Sequence, residues 1–151
     1  MFNLFKQDTF SSKLFNETTF YPQFINDLQQ AKKEVIIESP FITSSRMEKL
    51  YPIFQQVLAK KILFIIITRD PSEYDDDFMQ HQATNEILQS IDLGVDIKLV
   101  TGYHHRKLAI IDKQILWEGS LNILSFSKSQ EIMRRINSKY YADETFKFMR
   151  V

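Results

Sequence analysis

Residues 103–122 read YHHRKLAIIDKQILWEGSLN. Two apolar runs, 108–111 and 115–117, flank the polar triplet Asp112-Lys113-Gln114. Short β-branched runs on either side of such a break predict a hairpin, with strands over 107–112 and 115–117 turning around Lys113-Gln114. At the start of the first strand, His105 and Lys107 are two residues apart, so both side chains share a face. His104 then points the other way and reads as an ordinary histidine. The second strand ends at Gly119-Ser120-Leu121-Asn122, which carries Ser120 and Asn122 toward the same face as His105. Gly119 permits a tight bend and close backbone approach.

Upstream, residues 95–100 alternate in part and read as a strand. Residues 62–68 (ILFIIIT) form a β-branched run suited to a central strand covered on both faces. Residues 34–38 (EVIIE) are another short strand, ended by Ser39-Pro40. Downstream, residues 132–136 give a further strand. Helical spacing of Phe20, Phe24, Ile25, Leu28 and Ala31 predicts a helix over 18–33. Ser45 and Glu48 form a capping box that opens a second helix, with Pro52 expected to kink it or shift its start. Asp75, Asp76 or Asp77 caps a third helix running to about Ile91, and Ser138 caps a final one through Met149. This order argues for an α/β fold, a mixed β-sheet flanked by helices on both faces. One domain over 1–151 is expected, with 1–16 as a peripheral N-terminal segment.

Composition bounds the partners. The chain is 44% hydrophobic and 25% charged, which places it among globular proteins. Nineteen basic and nineteen acidic residues cancel, so net charge gives no support to a nucleic-acid binder. Their distribution is uneven. Residues 69–101 hold two basic and eight acidic side chains, whereas residues 104–151 hold nine and five, so one basic face is available. There is no cysteine, which excludes disulfides and Cys-based zinc sites. The start, MFNLFKQDTF, lacks the apolar stretch of a signal peptide, and the apolar run 62–67 is too short to span a bilayer. A cytoplasmic protein without stable membrane association is expected.

The chemistry sits in the hairpin. His105, Lys107, Asp112, Gly119, Ser120 and Asn122 follow the spacing H-x-K-x4-D-x6-G-S-x-N. An imidazole nitrogen can attack phosphorus, and the Lys107 ammonium and Asn122 amide can bind the oxygens on which charge develops. Ser120 joins Lys107 and Asn122 as a substrate-binding group. This chemistry calls for no cluster of carboxylates, hence no metal ion and no other cofactor.

The spacing matches the signature of the phospholipase D superfamily at all six positions. A chance match in a chain of this size has odds on the order of one in a million. Residues 34–136 look most like the compact homodimeric nucleases of that superfamily. The resemblance implies a phosphohistidine intermediate formed by one histidine while a second protonates the leaving oxygen. Larger members carry two motifs; this chain carries one, so the resemblance implies a homodimer in which each copy supplies its His105. It also implies a downstream carboxylate that holds the nucleophilic histidine by its other nitrogen. Glu131 best fits that part. Asp112 completes the motif, but it stands beside a turn, so a structural or orienting part is expected of it.

Three functions compete. A metal-independent nuclease on DNA or RNA leads. A hydrolase or transferase acting on phospholipids or other phosphodiesters is the second. The third is a DNA-binding module of a helicase or restriction assembly. Outside the motif, His81 reads as a surface residue and Glu73–Asp77 as a solvated loop. Trp117 and the other aromatics read as core, and Arg134 and Arg135 face opposite sides of their strand, so at most one lines a substrate groove.

Overall fold

The computed structural model describes residues 9–151. Seven strands form one sheet in the order β1-β7-β6-β5-β2-β3-β4. They are β1 (Ser11–Asn16), β2 (Glu34–Glu38), β3 (Leu63–Arg69), β4 (Asp96–Val100), β5 (Leu108–Ile111), β6 (Ile115–Gly119) and β7 (Ile132–Asn137). The helices are α1 (Phe20–Gln30), α2 (Ser44–Ala59), α3 (Asp77–Leu93) and α4 (Lys139–Met149). This is the expected mixed sheet between helical layers.

Strand pairing explains where a site can form. β2, β3 and β4 run parallel, linked through α2 and α3. The chain then doubles back, and β5 pairs antiparallel to β2 on the far side from β3. The segment 101–107 must therefore cross the carboxyl ends of β3 and β2. Reversals of this kind open a crevice beyond the strand ends. β5, β6, β7 and β1 complete the sheet as antiparallel neighbours.

Alternation splits the buried side chains into two cores. Val35, Ile37, Phe64, Ile66, Ala109, Trp117 and Met133 face α1, α2 and α3. Ile36, Ile65, Ile67, Leu108, Ile110, Leu116 and Ile136 face the side covered by α4. Trp117 anchors the larger core, edge-on to Phe15, Phe20 and Phe24. Its indole N–H donates to Asp27 Oδ2 at 2.8 Å. Arg135 closes a two-pronged ion pair on the same carboxylate, both prongs at 2.8 Å. A buried carboxylate is tolerable only with such partners.

Several local expectations are corrected. The hairpin turns on Asp112-Lys113 rather than on Lys113-Gln114, with Gln114 N–H donating to Ile111 O at 3.0 Å. Both central residues have positive φ, 55° and 48°, as a turn matched to strand twist requires. The Asp112 carboxylate explains the shift. It accepts the backbone N–H groups of Lys32, Lys33 and Glu34 at 2.7–3.2 Å, fixing the entry to β2 at the end of the sheet away from His105. Its part is thus structural. The N-cap of α2 is Thr43, not Ser45, and no side chain caps it, because Thr43 Oγ1 accepts the Phe126 N–H instead. Pro52 lies inside α2, which runs through to Ala59. Asp76 and Ser138 do cap α3 and α4. Within the segment expected to be peripheral, Ser11–Asn16 forms the edge strand β1, which that reading did not include, while residues 1–8 lie outside the described residues.

Candidate active site

His105 lies on the crossing segment 101–107, and the strand begins only at Leu108. Acidic residues at the strand ends hold this segment from behind. Glu73, after β3, accepts the N–H groups of Gly102 at 2.7 Å and Tyr103 at 3.2 Å. Those bonds secure two consecutive left-handed residues, Gly102 at φ 93° and Tyr103 at φ 58°. The Gly102 N–H, with that of Tyr103 and the Arg69 guanidinium, holds the Glu73 carboxyl below its ordinary range. Glu38, the last residue of β2, is fully buried. Its Oε1 lies 2.5 Å from His104 Nε2 and accepts Arg106 Nε at 2.8 Å. His104 is thus a buried anchor. Burial lowers its pKa, even though the Glu38 charge favours the protonated ring.

With His104 and Arg106 turned inward to Glu38, the His105 ring is left exposed, its centroid 6.2 Å from that of the Phe41 ring and the two rings edge to face. Lys107 Nζ sits 3.0 Å from His105 Nδ1 and donates to His105 O at 2.8 Å. An imidazole and an ammonium therefore share one small space. Burial lowers the Lys107 pKa, opposed by the Glu131 charge.

Across the site, β6 ends at Gly119 and β7 begins at Ile132. A Cβ on Gly119 would stand 2.1 Å from Ile132 O, so only glycine allows this approach. Ser120 then bridges the strands, donating its N–H to Ile132 O at 2.9 Å and accepting Ile132 N–H at 3.0 Å. The Glu131 carboxylate takes bonds from Ser120 Oγ and, at 2.6 Å, Ser129 Oγ. No hydrogen bond joins it to His105, so the expected histidine partnership is replaced by a carboxylate–hydroxyl bridge beside Lys107. Asn122 is half-buried, and its side-chain oxygen has no hydrogen-bond partner. Among the described residues, no three His, Asp or Glu side chains gather as a metal ion would need.

The site opens into a cleft of about 680 Å³ on the α4 side, lined by His105, Lys107, Arg106, Arg134 and exposed Leu14, Ile132 and Phe148. Arg134 enters this cleft while Arg135 is committed to Asp27. Sequence reasoning missed Glu38 and Glu73. The signal for Glu38 was present: a carboxylate directly after the buried run Val35–Ile37 must have partners brought to it.

The model of the family described as "Cardiolipin synthase, PLD-like domain" matches residues 24–150, which is most of the chain. The chain belongs to this family. It is thus a PLD-like domain of a phosphodiesterase superfamily. Two compact solved structures share the fold over nearly the whole length of both chains. NucT from Helicobacter pylori has 18% identity, covers 93% of each chain and gives a TM-score of 0.69. Nuc from Salmonella typhimurium, a phospholipase D family member, has 15% identity, covers 93% of this chain and 91% of its own, and gives 0.72. The same PLD-like fold forms part of polyphosphate kinase from Porphyromonas gingivalis, at 9% identity and TM-score 0.72, covering 93% of this chain and 25% of that one. No curated protein matches the sequence significantly. Among the described residues, no helix of this PLD-like domain is long and apolar enough to cross a membrane.

Proposed function

We propose that the protein is a metal-independent nuclease that hydrolyses DNA or RNA phosphodiesters through a phosphohistidine on His105, in a site completed by a second copy of the chain. The observation that carries this reading is the exposed His105 ring beside the Lys107 ammonium, on a segment braced by Glu38 and Glu73. A ring nitrogen of His105 attacks phosphorus, the bond to the leaving oxygen breaks, and His105 of the second copy gives that oxygen its proton. That second ring then takes a proton from water, whose oxygen attacks phosphorus and breaks the P–N bond. Lys107 and the Asn122 amide stabilise the non-bridging oxygens as charge builds. The exposed Leu14, Ile132 and Phe148 beside His105 offer apolar surface for the second copy.

The test is cleavage of single- and double-stranded DNA and RNA in excess EDTA, with phosphatidylglycerol vesicles alongside. Nucleic-acid cleavage in EDTA is expected. Lipid turnover alone would move the assignment to phospholipids, and tight DNA binding without cleavage would make the chain a binding module.

Lys107 gives a pH signature. It must be charged to bind phosphate, and burial lowers its pKa from 10.5, so kcat/KM should fall with rising pH at a midpoint below 10.5. Arginine stays charged, so Lys107→Arg should be slower and should lose the Lys107 contribution to that fall, keeping only the part set by the proton that the second His105 must carry. A pH profile of the same shape as the wild type's across the whole alkaline range would remove Lys107 from the phosphate site.

A further inference from the structure

A second cavity, of about 300 Å³, adjoins the catalytic groups on the opposite face of the sheet from α4. Asn122 and Glu131 line it, and Glu131 is close enough to Lys107 for its charge to act on that ammonium. Its cation is Arg46, in the first turn of α2. The guanidinium carbon lies 3.7 Å from the centroid of the Tyr21 ring and 5.8 Å from that of Phe126. Tyr21 is a fixed platform, because its hydroxyl donates to Ile123 O at 2.8 Å.

Apart from the two aromatic rings, nothing among the described residues accounts for a cation there. Positive charge in the first helical turn opposes the helix dipole. The Arg46 Nε is buried without a hydrogen bond, and among the described residues no carboxylate pairs with this side chain. The two acids lining the cavity are engaged elsewhere. Glu131 takes the Ser120 and Ser129 hydroxyls, and Glu17 accepts the Glu131 N–H at 3.3 Å. Arg46 is therefore a pre-oriented, stacked guanidinium with its donors uncommitted, the form best suited to grip a phosphate with two parallel bonds. Lys128 adds positive charge at the rim, and Phe126, 46% exposed, offers a flat apolar surface.

We infer that this cavity is a subsite for the phosphate next to the scissile one, held by Arg46, with the attached base against Phe126. The inference rests on the nuclease reading and sharpens it: the substrate is a polynucleotide strand with at least two phosphates.

The test compares a thymidine trinucleotide, which has two phosphates, with the dinucleotide, which has one, alongside the uridine pair. Wild-type kcat/KM should favour the trinucleotide by about tenfold or more, as one charge-assisted contact supplies. Arg46→Gln should reduce that preference to what a second cleavable bond alone gives. Arg46→Lys, which keeps charge but not the fork, should fall between the two and guards against a folding defect in the glutamine variant. A full preference in Arg46→Gln, or no wild-type preference, overturns the subsite while leaving the nuclease reading intact. Failure of the wild type to cut any oligonucleotide while hydrolysing bis(4-nitrophenyl) phosphate would sink both.

Discussion

His105→Ala should lower kcat for phosphodiester hydrolysis by at least about 10⁴-fold, the scale seen when a nucleophile is removed. No neighbouring side chain can take over. Lys107 is braced against the His105 carbonyl, and His104 is buried against Glu38. The shared site makes a sharper result available. If each copy gives one histidine to a single reaction centre, a mixed dimer of wild type and His105→Ala has lost either the nucleophile or the acid. Refolding the two proteins together at equal amounts should then leave about one quarter of the wild-type activity rather than about one half. A linear dependence on wild-type fraction would mean that each copy acts alone, and the two-imidazole mechanism would have to be abandoned.

Asp27→Ala should be the most damaging single change outside the site. It leaves the buried Trp117 N–H without an acceptor and Arg135, whose side chain is 22% exposed, without its partner. Breaking a buried pair from one side costs about 3–5 kcal/mol. In a domain of this size that is a fall in Tm of roughly 10 °C or more. Thermal and urea melts of the purified variant would measure it. A loss below about 1 kcal/mol would show that Arg135 and Trp117 find solvent or other acceptors easily.

The sequence carried the chemistry further than it carried the geometry. Periodicity sufficed for β3 and for the hairpin strands, because Ile65–Ile67 and Leu108–Ile111 are apolar on both faces and can only be central. Spacing singled out His105, Lys107, Ser120 and Asn122 as candidates, and the β5–β6 hairpin does return the chain to the end of the sheet where β5 begins. Features fixed by distant partners were not legible. β1 is exposed over most of its length and has no alternation to read, since pairing with β7 is what makes it a strand. The Asp112 turn sits one residue early because three N–H groups from the start of β2 claim its carboxylate. The Glu131 side chain turned to hydroxyls that spacing could not place. Glu38 could not be read because its partners, His104 and Arg106, arrive on a segment more than sixty residues away.

The crossing of the strand ends by segment 101–107 has a consequence for how the protein acquires its chemistry. The braces, Glu38 and Glu73, belong to the parallel half of the sheet, whereas Ser120, Asn122 and Glu131 belong to the antiparallel half, and His105 lies between. Neither half alone brings the braced segment and the Ser120–Glu131 bridge to one end of the sheet. This arrangement therefore cannot precede the insertion of β5 beside β2, and a chain caught before that step carries the same residues with none of their alignment.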